Sequence, residues 1–367
     1  MKRKIFFTGI FGLALLVGCH VAAKDPAAIK EPVAAKDPSA TDMLLADNPL
    51  VDKIWQASAK RFVSKQQLLN DIVNNNYILL GETHDNPLHH KYQAWVIEQL
   101  HDRGRHMAVA FEMINPEQED LLKKHSIKST EQIFDMLDWE KSGWPSRNIY
   151  KPVFESTLNA NYPIHAANIA RKELTQIVMQ GDKEVPAEVM AQLNENPMSK
   201  DAEAMLRTEI EESHCGMLPE TMVPAMMLGQ RVRDAVIANS LVANKLKDGI
   251  VLIAGSGHTQ KNGVPVFIHS ADKAAKVFSM AWMEVDQRLS KPEEYAQYWG
   301  SDELPFDYVW FTARIERPDP CEELKKHHKF THDKATQEKA TQEKATQEKA
   351  TREKAESNES TKAEDTQ

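Results

Sequence analysis

The chain has 367 residues, 41% of them hydrophobic and 27% charged, with a formal charge of −9. That is globular composition, which excludes a wholly disordered or fibrous chain. The negative balance leaves no basic field to gather phosphate backbones, so no nucleic-acid partner is expected. Three cysteines, Cys19, Cys215 and Cys321, are too few for a disulfide scaffold and wrongly spaced for a structural zinc site.

Lys2, Arg3 and Lys4 precede the apolar run Ile5–Val17, which ends in Leu16-Val17-Gly18-Cys19. A bilayer core needs roughly 20 apolar residues, so this run is too short to span and reads as a secretory signal. Small residues directly before a cysteine resemble a bacterial lipobox. The reading is a signal peptide over 1–18 and lipidation of Cys19, with several acyl chains giving a firm membrane anchor. His20, where an Asp would resemble an inner-membrane retention signal, points to the outer membrane, facing the periplasm or the cell surface. Residues 19–47 carry Lys24-Asp25-Pro26 and Lys36-Asp37-Pro38 among alanines and read as a flexible tether.

The body, 48–320, alternates strand-like and helix-like segments. Near-continuous apolar runs at Tyr77–Leu80, Met107–Phe111, Pro163–Ala167 and Ile250–Ala254 suit parallel strands buried on both faces. Asn86-Pro87 looks like a helix cap and first position, followed by a stripe of Leu88, Tyr92, Trp95 and Val96. Val264–Ile268, Val277–Val285 and Tyr308–Ile315 read as further strands. The alternation predicts an α/β fold, with a central, mostly parallel sheet and flanking helices. Residues of about 170–247 carry no strand signal and read as an inserted helical lobe, broken at Gly181, Pro186, Pro197, Gly216–Pro219 and Pro224. The lobe is rich in methionine, a side chain suited to gripping flat apolar ligands. Residues 321–367 form a low-complexity tail in which Lys334-Ala335-Thr336-Gln337-Glu338 recurs at 339, at 344 and, with Arg352, at 349. A period of five brings no apolar face together, so nothing in the tail can dock by burial.

Ligands of open α/β sheets bind beyond the carboxyl ends of the strands. Two strands here run into Gly-x-x-His: Gly81-Glu82-Thr83-His84 and Gly255-Ser256-Gly257-His258. A third, between them, runs into Glu112. Glu82, His84, Glu112 and His258 could ligate a divalent metal or share acid–base work. His89 and His90, on the helix opened by Pro87, are candidate haem contacts. His214 and Met217, in the apolar turn His214–Glu220, and Tyr150 are candidate haem contacts, because a haem site sets an axial His, Tyr, Cys or Met in apolar surroundings. There is no phosphate loop and no nucleophile elbow.

Leu80-Gly81-Glu82-Thr83-His84-Asp85-Asn86-Pro87, with His90 and Gln93, resembles the opening motif of the ChaN-like haem-binding uptake lipoproteins. Ala110–Met113, Ala167-Asn168, His214–Pro219, Arg233-Asp234 and Gly255–His258 with Gly263-Val264-Pro265 resemble its later blocks. The resemblance covers roughly 70–285. It implies haem binding in iron uptake, a cofacial haem pair across a homodimer, a tyrosine as iron ligand, and an outer-membrane haem receptor as partner. The same superfamily includes Tiki-like metalloproteases and erythromycin-esterase-like enzymes, which are similar in carrying His and Glu at the strand ends. That likeness implies a metal-dependent hydrolase as the alternative. A third reading is an envelope-interaction protein acting through the repeat tail.

Overall fold

The computed structural model describes residues 43–319, 321–322 and 324–325. The lipobox at Cys19, the tether up to residue 42 and the repeats lie outside the described residues. The chain divides into two compact units, Met1–Glu316 and Arg317–Gln367. In the second, Lys325 Nζ reaches Glu322 Oε1 at 2.8 Å. All the elements named below belong to the first.

In chain order they are β1 (Met43–Leu44), β2 (Ile54–Gln56), β3 (Arg61–Val63), α1 (Lys65–Ile72), β4 (Tyr77–Glu82), α2 (Pro87–Asp102), β5 (Ala108–Phe111), α3 (Pro116–Lys123), α4 (Thr130–Met136), α5 (Trp139–Ser142) and α6 (Arg147–Asn159). There follow β6 (Ile164–Ala166), α7 (Arg171–Gln180), α8 (Ala187–Glu195), α9 (Lys200–Ser213), α10 (Val223–Asn244), β7 (Ile250–Gly255), α11 (Ser256–Thr259), α12 (Val264–Ala271), β8 (Val277–Glu284), β9 (Tyr308–Thr312) and β10 (Arg314–Ile315).

The main sheet has eight strands in the order β3-β2-β9-β8-β4-β7-β5-β6. From β9 to β6 every pairing is parallel, and only the β2–β3 hairpin and its join to β9 are antiparallel. The α/β reading with a mostly parallel sheet therefore holds. Alternate residues of the central strands feed two cores. Ile78, Leu80, Val109, Phe111, Val251 and Ile253 pack with α1, α2, α4 and α6 on one face. Tyr77, Leu79, Ala108, Ala110, Ile250 and Leu252 pack with α7, α8, α10 and α12 on the other. Burial on both faces is why these strands read as unbroken apolar runs.

Two local readings change. Val264–Ile268 opens α12 instead of forming a strand: Pro265 stands in its first turn, and Val264, Pro265, Phe267 and Ile268 are all buried. A short apolar run buried on all sides does not distinguish helix from strand by period. On α2, Asn86 caps as expected, its Oδ1 accepting from Leu88 N–H at 2.9 Å. The buried face, however, is His89, His90, Gln93, Ala94, Val96, Ile97 and Leu100, and Leu88, Tyr92 and Trp95 lie at its margin. Three buried polar residues, His89, His90 and Gln93, mean that α2 brings chemistry to the sheet as well as packing.

Candidate functional site

The strand ends supply the geometry. β4 and β7 are in register so that Glu82 lies opposite Gly255, and Glu112 N–H donates to Ile253 O at 3.0 Å just beyond β5. β7 passes into α11 with no intervening loop, which sets His258 one turn above the sheet edge. Gly255 lets His84 lie across the strand end: a Cβ there would meet His84 Nε2 at 3.0 Å.

Two linked polar clusters result. In the first, Glu82 accepts from Tyr150 Oη at 2.7 Å, His84 Nδ1 at 2.8 Å and Gln93 Nε2 at 2.7 Å. His90 completes it, with Nε2 at 2.8 Å from His84 O and Nδ1 at 3.3 Å from Glu82 Oε2. In the second, Glu112 is held by the Arg233 guanidinium and by Gly255 N–H at 2.8 Å. His258 Nε2 lies 3.5 Å from Glu112 Oε1, and its Nδ1 meets Asp234 Oδ1 at 2.6 Å. His84 Nε2, 4.0 Å from Glu112 Oε2, joins the two. His84 keeps 12% of its side chain exposed and packs edge-on to Trp144. Among these groups it is the one that solvent reaches most.

Burial works against each charge, and the partners decide the outcome. Burial would raise Glu82 and Glu112. The charges and hydrogen bonds of His90 and His84 on Glu82, and of His258 and Arg233 on Glu112, outweigh it and hold both carboxyls well below the ordinary range. Burial and the Arg233 charge disfavour protonated His258, yet Glu112 and Asp234 hold it up at about 9 against an ordinary 6.5. Burial raises Glu209 of α9, whose Oε2 accepts from Gln260 at 3.3 Å, to about 7. A raised histidine and a raised carboxyl both contribute stability at low pH that is lost as pH rises through the folded value. Thermal stability should therefore fall from pH about 4.5 to 7 through Glu209 and from about 6.5 to 9 through His258, most steeply near pH 7 where the two windows meet. Below pH 4.5 it should fall again as Glu82 and Glu112 protonate. Melting curves across that range check both arms, and a flat alkaline arm would contradict the charge assignment of His258.

His84, Glu112, His258 and Glu82 thus converge. They are nevertheless not disposed as a metal centre. Among the described residues no group of three or more His, Cys, Asp or Glu could hold a metal ion, because Arg233, Gly255 N–H, Tyr150 and Gln93 already occupy the carboxylates. The divalent-metal expectation gains no support. His89, His90 and Tyr150, expected as haem contacts, are fully buried. His89 Nδ1 accepts from Thr83 N–H at 2.8 Å and its Nε2 lies 2.9 Å from Thr312 Oγ1, while His90 and Tyr150 belong to the Glu82 cluster. All three side chains are thus engaged inside the body in this structure. His214 and Met217 stand elsewhere, half-buried at the turn between α9 and α10. Arg233 and Asp234 were not among the residues expected at the site. They are a charged pair on the buried face of α10, 6% and 5% exposed.

Residues 68–268 match the family described as haem-binding uptake, Tiki superfamily, ChaN. The chain belongs to this family. The match spans the site strands and the whole methionine-rich lobe. A solved structure described as cofacial haem binding to ChaN of Campylobacter jejuni is 21% identical, with a TM-score of 0.56, covering 71% of this chain and 96% of that one. An erythromycin esterase, EreC, in its open conformation is 13% identical, with a TM-score of 0.35 over 72% of this chain and 84% of its own. The type III effector HopBA1 is 12% identical, with a TM-score of 0.36 over 67% and 91%. No curated protein matches the sequence.

For a ChaN-family chain the side chains that would face haem matter most. Around the α9–α10 turn Ile210, Val223 and Met227 are buried, and Met198, Leu206, Leu218 and Met226 pack half-buried against them. This apolar, polarizable surface fits a porphyrin. The tyrosines fit less well. Tyr77, Tyr92 and Tyr150 donate to Asp272, Asp52 and Glu82 at 2.8, 2.6 and 2.7 Å. Tyr298 and Tyr308 donate to Asp286 and Asp71, Tyr162 donates to Arg105 O, and Tyr295 accepts from Asp286 N–H.

Proposed function

We propose that this chain is a lipid-anchored haem-binding protein of haem and iron uptake, holding a pair of haems across a homodimer. The observation that carries the proposal is the family match, which includes the lobe where Met198 and Met226 pack half-buried against Ile210, Val223 and Met227. When bound, haem supplies an iron centre and a flat apolar face. Met217, Leu218 and Met226 would cover that face, and His214 would meet its edge or its iron. The cofacial pair is a property of the Campylobacter jejuni protein. It comes to this chain by the shared fold and family. An outer-membrane haem receptor is the partner this role requires. Full-length protein mixed with haemin should carry the pigment through gel filtration at the mass of two chains; pigment emerging apart from protein would end the reading.

Anchoring rests on the lipobox. Cys19→Ala should move the protein from the membrane fraction to the soluble periplasmic fraction, and a variant that stays with the membrane at unchanged mass would contradict acylation. The His258–Asp234 pair beside Glu112 favours a second reading, acid–base hydrolysis without a metal, in which His84→Ala removes turnover and leaves the fold intact. The envelope-interaction reading concerns the tail, which lies outside the described residues.

A further inference from the structure

We propose that the groove between α2 and α6 is a binding site for a short zwitterionic peptide, a function separate from haem binding. The groove has a volume of about 560 Å³ and is lined by residues of α1, α2 and α6. That is the size of a small-ligand site. None of its lining residues belongs to the clusters around Glu82 and Glu112. On α2, Lys91, Trp95 and Glu98 follow at spacings of four and three residues and share one helix face. A cation, an aromatic ring and an anion therefore succeed one another along one wall. On the facing wall the exposed Asn159 of α6 carries an amide that can donate and accept.

Lys65, the first residue of α1, supplies a second cation. Its Nζ lies 4.8 Å from the ring centroid of Trp310, 5.6 Å from that of Tyr92 and 5.8 Å from that of Trp95. Trp95 packs edge-on to Trp310 at 5.7 Å and stays half-exposed, so it offers the groove an apolar surface. The charges around it are uncommitted. Among the described residues no carboxylate pairs with Lys65 or Lys91, and no cation pairs with Glu98. Lys151 of α6, by contrast, meets Glu131 at 2.7 Å and Glu155 at 3.6 Å. Single exposed charges are common on any surface. Here both signs border one concave aromatic floor, and Lys65 settles over π faces in place of a carboxylate.

The order of the groups sets the ligand. Seven residues separate Lys91 from Glu98, roughly 10 Å along the helix axis. An extended chain covers that distance with about three residues. The free carboxylate lies at Lys65 and Lys91, the free ammonium at Glu98, and an apolar side chain rests between them on Trp95. A single amino acid, with both charges on one carbon, does not span the distance.

The experiment is calorimetric titration of the full chain with the tripeptide Ala-Phe-Ala, with its N-acetylated form and with its C-amidated form. The free peptide should bind, and blocking either end should weaken binding roughly fivefold, the upper range for an exposed ion pair. Glu98→Gln should lose a similar factor for the free peptide and become indifferent to N-acetylation. Trp95→Ala should bind roughly tenfold or more weakly. Trp95 is half-buried, so its variant can also lose stability; Glu98 is exposed, and Glu98→Gln should melt as wild type does and carry the test by itself. No binding of the free peptide at millimolar concentration, equal binding of free and blocked peptides, or sensitivity to N-acetylation that persists in Glu98→Gln would each overturn the proposal.

Discussion

Arg233→Met should cost about 3–5 kcal/mol of folding stability, the range for removing one partner of a buried ion pair. Glu112 is 1% exposed, and apart from Arg233 its compensation is one backbone N–H from Gly255 and the more distant rings of His258 and His84. Methionine fills most of the arginine's volume, so the loss is electrostatic and not a cavity effect. Pairing the change with Glu112→Gln removes the stranded charge and keeps an acceptor for Gly255. The double variant should recover most of the loss, and chemical denaturation of the two singles and the double measures the coupling. If the singles add without coupling, the two residues are not a working pair.

Gly81→Ala should destabilise the chain by about 3 kcal/mol, the upper end for forcing an extra methyl into a packed interior. An added Cβ would lie 2.3 Å from Thr259 Oγ1 and 3.0 Å from both Met280 O and Ser256 Cα. Two of those neighbours are backbone and cannot swing aside. The strand must move away from α11, which carries His258. The variant should therefore also relax the His258–Glu112 contact, seen as a fall of the His258 titration toward its ordinary value by NMR. A variant of wild-type stability would show that the sheet and α11 are more loosely joined than their contacts imply.

Legibility of the sequence followed burial. The central strands β4, β5 and β7 were plain because both faces are covered, so their apolar runs have no gaps. Strands β2 and β3 have three residues each, too few for any period to register. Helix α12 was hidden because Pro265 and its β-branched neighbours form a short, mostly buried apolar run that resembles a strand. At the site, His84, Glu112 and His258 were found by one rule, that residues just past parallel strands share an edge. Their partners Arg233 and Asp234 come from α10, distant in sequence, and no local period links them to a strand end. Tyr150 shows the same limit from the other side. Its sequence surroundings suggested a haem-facing aromatic, but its hydroxyl reaches inward across α6 to Glu82, a contact made only by tertiary packing.

Haem binding is tested most directly by stoichiometric titration. Full-length protein titrated with haemin, followed by difference absorbance in the Soret region, should give a band that saturates with a sharp break at one haem per chain. Growth of the signal in proportion to added haemin, with no break and no shift from the spectrum of haemin in buffer, would contradict it.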